Sequence, residues 1–264
     1  HGRYTIAATL TGGGSQCAFM GENSMRSENL ETAYLSWTES YNESRPTGYS
    51  SYVFRNCGAT EMYMVGMPYF YGDNSGPSSS AFAAFYGMTR IKYVVNAGTS
   101  YTYNGTTGDS SYYLTLPTQW NISARNASCN SIFGASQSLE IVYITGLKHH
   151  GNTGGWFSGT FSNCPKLREI TLTSTGISAI MHIDNMCANN PNLEKVVFDK
   201  SIYCMYSYNS NGTFVNDPKL KYVDLQGITG YAWNTNHMGY IWRGSTNIVT
   251  PGTESKAANE EAQI

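Results

Sequence analysis

Charge is scarce in this sequence: Lys and Arg contribute 16 of the 264 residues and Asp and Glu 18, together 13% of the chain. That is about half the share typical of globular domains. The formal balance is −2, so no positive excess exists to neutralise a phosphate backbone, and sequence-general nucleic-acid binding is excluded. Long apolar runs are missing as well. No stretch of about eighteen apolar residues occurs, so no segment is suited to cross a bilayer as a helix. The chain opens on His1 and Gly2 rather than Met, a start expected of a processed product that has lost a leader.

The spacings that signal catalysis or metal binding are also absent. The six cysteines, Cys17, Cys57, Cys129, Cys164, Cys187 and Cys204, form no C-x-x-C pair, and zinc needs such clustered, convergent ligands. His149 and His150 are adjacent but sit among glycines, His182 precedes Asp184 by two residues, and His237 stands alone. No H-E-x-x-H or G-x-S-x-G motif is present. Gly12, Gly13, Gly14 and Ser15 lack the lysine of a phosphate loop and read as a turn. The expectation is a protein without catalytic residues, metal or cofactor.

What remains is apolar and hydroxylated. Hydrophobic residues make up 41% of the chain, enough for a substantial core. Solubility then rests on Asn, Ser, Thr, Gly and the hydroxyls of 21 tyrosines. Such a polar, uncharged surface is common in secreted, phage-borne and cell-surface proteins. Trp37, Trp120, Trp156, Trp233 and Trp242 are scattered along the chain; they read as partial core or as stacking faces for sugars.

An internal repeat organises the sequence. Its clearest copy holds Phe161, Cys164, Pro165, Leu167, Ile170 and Leu172. The next holds Cys187, Asn190, Pro191, Leu193, Val196 and Phe198, and a third holds Phe214, Asp217, Pro218, Leu220, Val223 and Leu225. Upstream, Phe133, Leu139, Val142 and Ile144 keep the same offsets, followed backwards by the Phe85/Ile91, Phe54/Thr60 and Leu30 units. The leading positions are then 30, 60, 91, 139, 167, 193 and 220. The interval of 48 residues before Leu139 contains an insertion, placed at Asn96 to Leu116.

Each unit reads as a turn entering a short strand, because Ile170 and Leu172 alternate with Glu169 and Thr171. Proline at the corner stops a helix from running into the strand. A Cys, Asn, Asp or Ser three residues before the leading Leu is placed to bond backbone groups there. Cys57 and Cys164 fall in this column and are expected as free, packed thiols. One unit cannot bury its apolar face alone, so the units must stack. The residue after each leading position is charged in all seven units: Glu31, Glu61, Lys92, Glu140, Arg168, Glu194 and Lys221. This predicts a charge ladder at the strand spacing of about 4.8 Å, with Lys92 facing Glu140 and Arg168 facing Glu194.

The pattern F-x-x-C-P-x-L-x-x-I-x-L, with Ile177 and Ile180 following it, resembles the BspA-like (Treponema pallidum type) leucine-rich repeats. The resemblance is close from Phe133 to about Ile228 and looser from Leu30 to Val95. It implies an α/β repeat solenoid with a curved parallel sheet and short helical turns on the other side. It also implies an extracellular or cell-surface adhesin-like protein that binds a host or neighbouring-cell protein or glycan.

The expected organisation is one solenoid over residues 1–250, with capping ends at Tyr4 to Leu10 and Tyr231 to Val249, and a polar tail over 251–264. On the concave face, the outward strand positions bring together Tyr34, Met62, Met64, Tyr93, Val95, Ile141 and Tyr143, an apolar and aromatic patch expected to bind ligand. A role in a phage fibre or extracellular filament, with self-assembly, and a role as a glycan-binding module are the alternatives.

Overall fold

A computed structural model describes residues 4–10, 29–37, 54–65, 70–72, 85–96, 102–103, 106–107, 112–116, 120–124, 131–150, 155–156, 159–177, 180–182, 185–198, 204–206 and 213–224. The expected C-terminal cap and tail lie outside them. The strands are β1 (Tyr4–Leu10), β2 (Leu30–Trp37), β3 (Glu61–Val65), β4 (Phe70–Gly72), β5 (Tyr93–Asn96), β6 (Thr102–Tyr103), β7 (Thr106–Thr107) and β8 (Tyr113–Leu116). They continue as β9 (Trp120–Ala124), β10 (Ile141–His150), β11 (Gly155–Trp156), β12 (Glu169–Ile177), β13 (Ile180–His182), β14 (Lys195–Phe198), β15 (Cys204–Tyr206) and β16 (Tyr222–Asp224).

The main sheet has 11 strands and runs β1, β2, β3, β8, β5, β10, β12, β14, β16, with β9 beside β10 and β4 beside β9. All its pairings are parallel. A second parallel sheet joins β11, β13 and β15, and β6 and β7 form an antiparallel pair. Within the main sheet, β8 follows β5 in sequence yet lies between β3 and β5. The stretch read as an insertion therefore re-enters the sheet as a strand.

The core is built from aligned columns. Ala33, Met62, Leu114, Val94, Val142, Ile170, Val196 and Val223 are register partners along the sheet, and all are buried. Leu30, Ala59, Ile91, Leu139, Leu167, Leu193 and Leu220 lie three residues before their respective column members and are also buried. Opposite them, the rings of Phe54, Phe85, Phe133 and Phe161 stack at centroid distances of 5.3, 5.5 and 5.7 Å.

At the corners of three repeats two residues adopt left-handed backbone conformations four positions apart, Ser131 and Ala135, Gly159 and Asn163, Asn185 and Asn189, and Asn56, Gly87 and Asn216 hold the second of these positions in three others. Asn and Gly fit there because they tolerate positive φ. The residue after the second left-handed position is buried throughout, as Cys57, Met88, Ser136, Cys164, Asn190 and Asp217. Its polar members bond the neighbouring repeat. Cys164 N–H donates to Asn190 Oδ1 (2.8 Å), and Asn190 N–H donates to Asp217 Oδ1 (2.7 Å).

Three expectations are corrected. No α-helix occurs among the described residues. The returning segments spend their N–H groups between repeats, as in Phe85 to Ile132 (2.9 Å), Phe133 to Thr160 (3.0 Å) and Phe161 to Met186 (2.8 Å). Left-handed residues at each corner also prevent a helical run. Second, strand order is interleaved rather than sequential, so the sheet is open and mostly parallel and departs from the curved leucine-rich-repeat solenoid.

Third, the second unit is out of the expected register by one residue. From the left-handed corner residue to the leading position is three residues there (Asn56 to Ala59) and four elsewhere (Gly87 to Ile91, Asn163 to Leu167). The leading residue is Ala59, not Thr60. Thr60 takes the place expected for a charge and donates to the Glu31 carbonyl at 2.8 Å, as Glu140 does to Lys92 and Arg168 to Glu140. A shift of one residue sends every side chain of a strand to the opposite face.

Candidate functional site

The outward face of the sheet carries two columns. One contains Thr5, Thr32, Glu61, Tyr113, Tyr93, Ile141, Glu169, Lys195 and Tyr222, and the other Ala7, Tyr34, Tyr63, Thr115, Val95, Tyr143, Thr171, Val197 and Asp224. Inserting β8 adds Tyr113 and Thr115 to these columns and separates the rings of β3 from those of β5.

Tyrosines dominate the half of the face around that strand. Tyr34 and Tyr63 stack at 4.9 Å with an interplanar angle of 15°, and Tyr93 and Tyr113 lie 4.8 Å apart at 33°. Tyr93, Tyr113 and Tyr143 pack over Val95 and Ile141. Glu61 organises the first pair: Tyr63 Oη donates to Glu61 Oε1 at 3.0 Å. Desolvation and then the Glu61 carboxylate push the Tyr34 phenol above its ordinary range, and desolvation with the Glu61 bond does the same to Tyr63. Both phenols therefore stay protonated hydrogen-bond donors at neutral pH.

The far half of the face is more polar and carries the charge ladder. Lys92 Nζ lies 3.9 Å from Glu140, and Lys195 Nζ lies 2.8 Å from Glu169. The Arg168 guanidinium lies 3.7 Å from Glu140, and the Glu194 N–H donates to the Arg168 carbonyl at 2.8 Å. Lys92 also sits 4.6 Å from the centroid of the Tyr112 ring, the residue that leads into β8.

The expected site residues are distributed unequally. Tyr34 is 41% exposed, the one large apolar side chain so open among the described residues. Tyr93 and Tyr143 are half-buried on the outward face. Met62 is wholly buried in the core column, displaced from the face by the short corner of its repeat. The Met64 backbone pairs with Leu35, which places it in a different column from the expected one. Val95 and Ile141 lie on the face but are 4% and 0% exposed, because tyrosines cover them.

Of the expected apolar and aromatic patch, Tyr34, Tyr93 and Tyr143 thus line the outward face, whereas Met62 faces the core. Tyr63, Tyr113 and Glu61, absent from the expected set, complete the site. The alternation of Leu114 and Leu116 marks Tyr113 in the sequence as a strand residue, whereas Tyr63 depends on the register of β3, which the sequence does not show.

Cys57, Cys164 and Cys187 are free and buried. Burial pushes the Cys57 thiol up to about 11 and Cys164 to about 12, and raises Cys187 well above its ordinary value. Thiols so held are poor nucleophiles. No group of three or more His, Cys, Asp and Glu side chains placed to hold a metal ion occurs among the described residues. No helix of the described chain is long and apolar enough to cross a membrane.

No family model, curated protein or solved structure matches the chain. The interleaved strand order and the absence of α-helix among the described residues overturn the resemblance to the BspA-like repeats. The adhesin mechanism drawn from that family, binding in the concavity of a leucine-rich-repeat sheet, loses its structural basis with it.

Proposed function

We propose that the chain is a non-catalytic recognition module whose tyrosine band, around the inserted strand β8, binds a neutral glycan. The observation that carries this reading is the covering of Val95 and Ile141 by Tyr93, Tyr113 and Tyr143. A surface so built offers little bare apolar area to drive docking of a protein. It offers ring edges, phenolic hydroxyls and the Thr32 and Thr115 hydroxyls instead, a combination suited to a polyhydroxylated ligand that is apolar on its C–H faces. The low charge of the whole chain is in keeping with an uncharged partner, and an extracellular location follows from the same reading.

A glycan array probed with the intact chain tests the proposal. Binding to a defined set of oligosaccharides is expected, weakened at least tenfold, or about 1.4 kcal/mol, in a Tyr93→Ala, Tyr143→Ala double variant. Retention of full affinity by a folded double variant contradicts the reading. So does an array with no bound glycan.

A further inference from the structure

We propose that the open face of Tyr34, above Ala7, is a stacking subsite for a single pyranose ring. This rests on the glycan reading above and narrows it to one place. The Tyr34 and Tyr63 rings are nearly parallel and follow one another across adjacent strands. One face of Tyr34 is therefore taken by Tyr63, and the other is turned towards β1. There the register partner of Tyr34 is Ala7, an exposed residue whose methyl group cannot fill the space beside a phenol.

Among the described residues no ring continues the stack at Ala7, one strand spacing, about 4.8 Å, from Tyr34. That is deep enough for one flat ring standing on the methyl of Ala7. β1 ends the sheet on this side among the described residues, so a ligand entering from the edge displaces none of the described strands.

The chemistry beside the slot selects the occupant. Thr5 and Thr32 are register partners two residues earlier on the same strands, on the same face, and Thr5 is exposed. Their hydroxyls flank the slot as donors and acceptors for ring hydroxyls. Glu61, paired in register with Thr32, is engaged by the Tyr63 phenol, so its charge is partly satisfied and the site does not call for a cation. A C–H face against an aromatic ring, with hydroxyls at the rim, is the contact made by a neutral pyranose. The Glu61 anchor holds the tyrosine pair in place before the sugar arrives, which lowers the ordering cost of binding.

The test uses the intact chain and soluble methyl glucoside, galactoside, mannoside and N-acetylglucosaminide, followed by saturation-transfer NMR and by titration with the best of them. Saturation should reach the C–H protons of one sugar face. Ala7→Leu, which fills the slot and leaves the tyrosines in place, should lower affinity at least tenfold. Tyr34→Phe, which keeps the ring, should lower it less than threefold.

Unchanged affinity in Ala7→Leu overturns the subsite. If Tyr93→Ala, Tyr143→Ala still weakens binding at least tenfold in that case, the glycan reading stands without it. Absence of binding by the wild-type chain to these glycosides and to the array overturns both. A wild-type dimer that Ala7→Leu converts to a monomer, in sedimentation without sugar, assigns the slot to a second copy and also overturns the subsite.

Discussion

Asp217 holds the buried corner position that Asn190 holds one repeat earlier, and its carboxylate accepts the Asn190 N–H. Burial dominates over that bond and raises its pKa from 3.8 to about 8. Because the folded value lies above the unfolded one, the native state keeps a proton that the unfolded chain releases between these limits. The stabilising contribution is complete below about pH 4 and is lost as pH rises through about 8. Within that window stability should fall by up to about 1.4 kcal/mol per pH unit. Asp217→Asn retains the accepting oxygen and removes the ionisation. Urea denaturation at pH 5 and pH 8 should show a large difference for the wild type and a smaller one for the variant. Equal pH dependence in the two would assign the titration elsewhere.

Among the elements, the phenylalanine column ties the repeats together. Phe133 is wholly buried and stacks on Phe85 and Phe161 at once. Removing it opens a cavity shared by three repeats, so Phe133→Ala should cost about 3–5 kcal/mol by urea denaturation. A loss under about 1 kcal/mol would mean that the layers do not share a core. This column was legible in the sequence, since a large ring at constant offset from an apolar strand needs no knowledge of partners.

The register of β3 was not legible in the same way. Counting forward from Phe54 gives Thr60, and only the corner geometry at Asn56 reveals the missing residue. The expected helices failed for a related reason. The four or five residues between each described corner and the strand it enters are too few to nucleate a helix, and N–H groups among them find partners in the neighbouring repeat.

At the scale of the whole molecule, the two sides of the repeats do not match between β3 and β5. The rings of Phe54 and Phe85 are adjacent at 5.3 Å. The strands of those same repeats are separated by β8, and so by two strand spacings, about 9.6 Å. The repeats must splay on the sheet side to admit the extra strand, and that strand brings Tyr113 into the candidate site.

Composition and spacing located the insertion between Asn96 and Leu116. They gave no sign of its destination, because a parallel strand chooses its neighbours through contacts far apart in sequence. Only two apolar residues, Leu114 and Leu116, mark it. The family resemblance failed at the same point: a packing pattern within each repeat does not specify the order in which strands lie.

That order is tested most directly by disulfide trapping. Thr115 is the register partner of both Tyr63 and Val95, so cysteines at 63 and 115, or at 115 and 95, fall within the Cα separation of about 4.4–6.8 Å that a disulfide bridges. Cysteines at 63 and 95 are too far apart if β8 lies between them. Mild oxidation followed by peptide mapping should find the first two links in high yield and the third absent. A Tyr63→Cys, Val95→Cys variant that cross-links readily would place β3 beside β5 and remove both the inserted strand and the tyrosine band built around it.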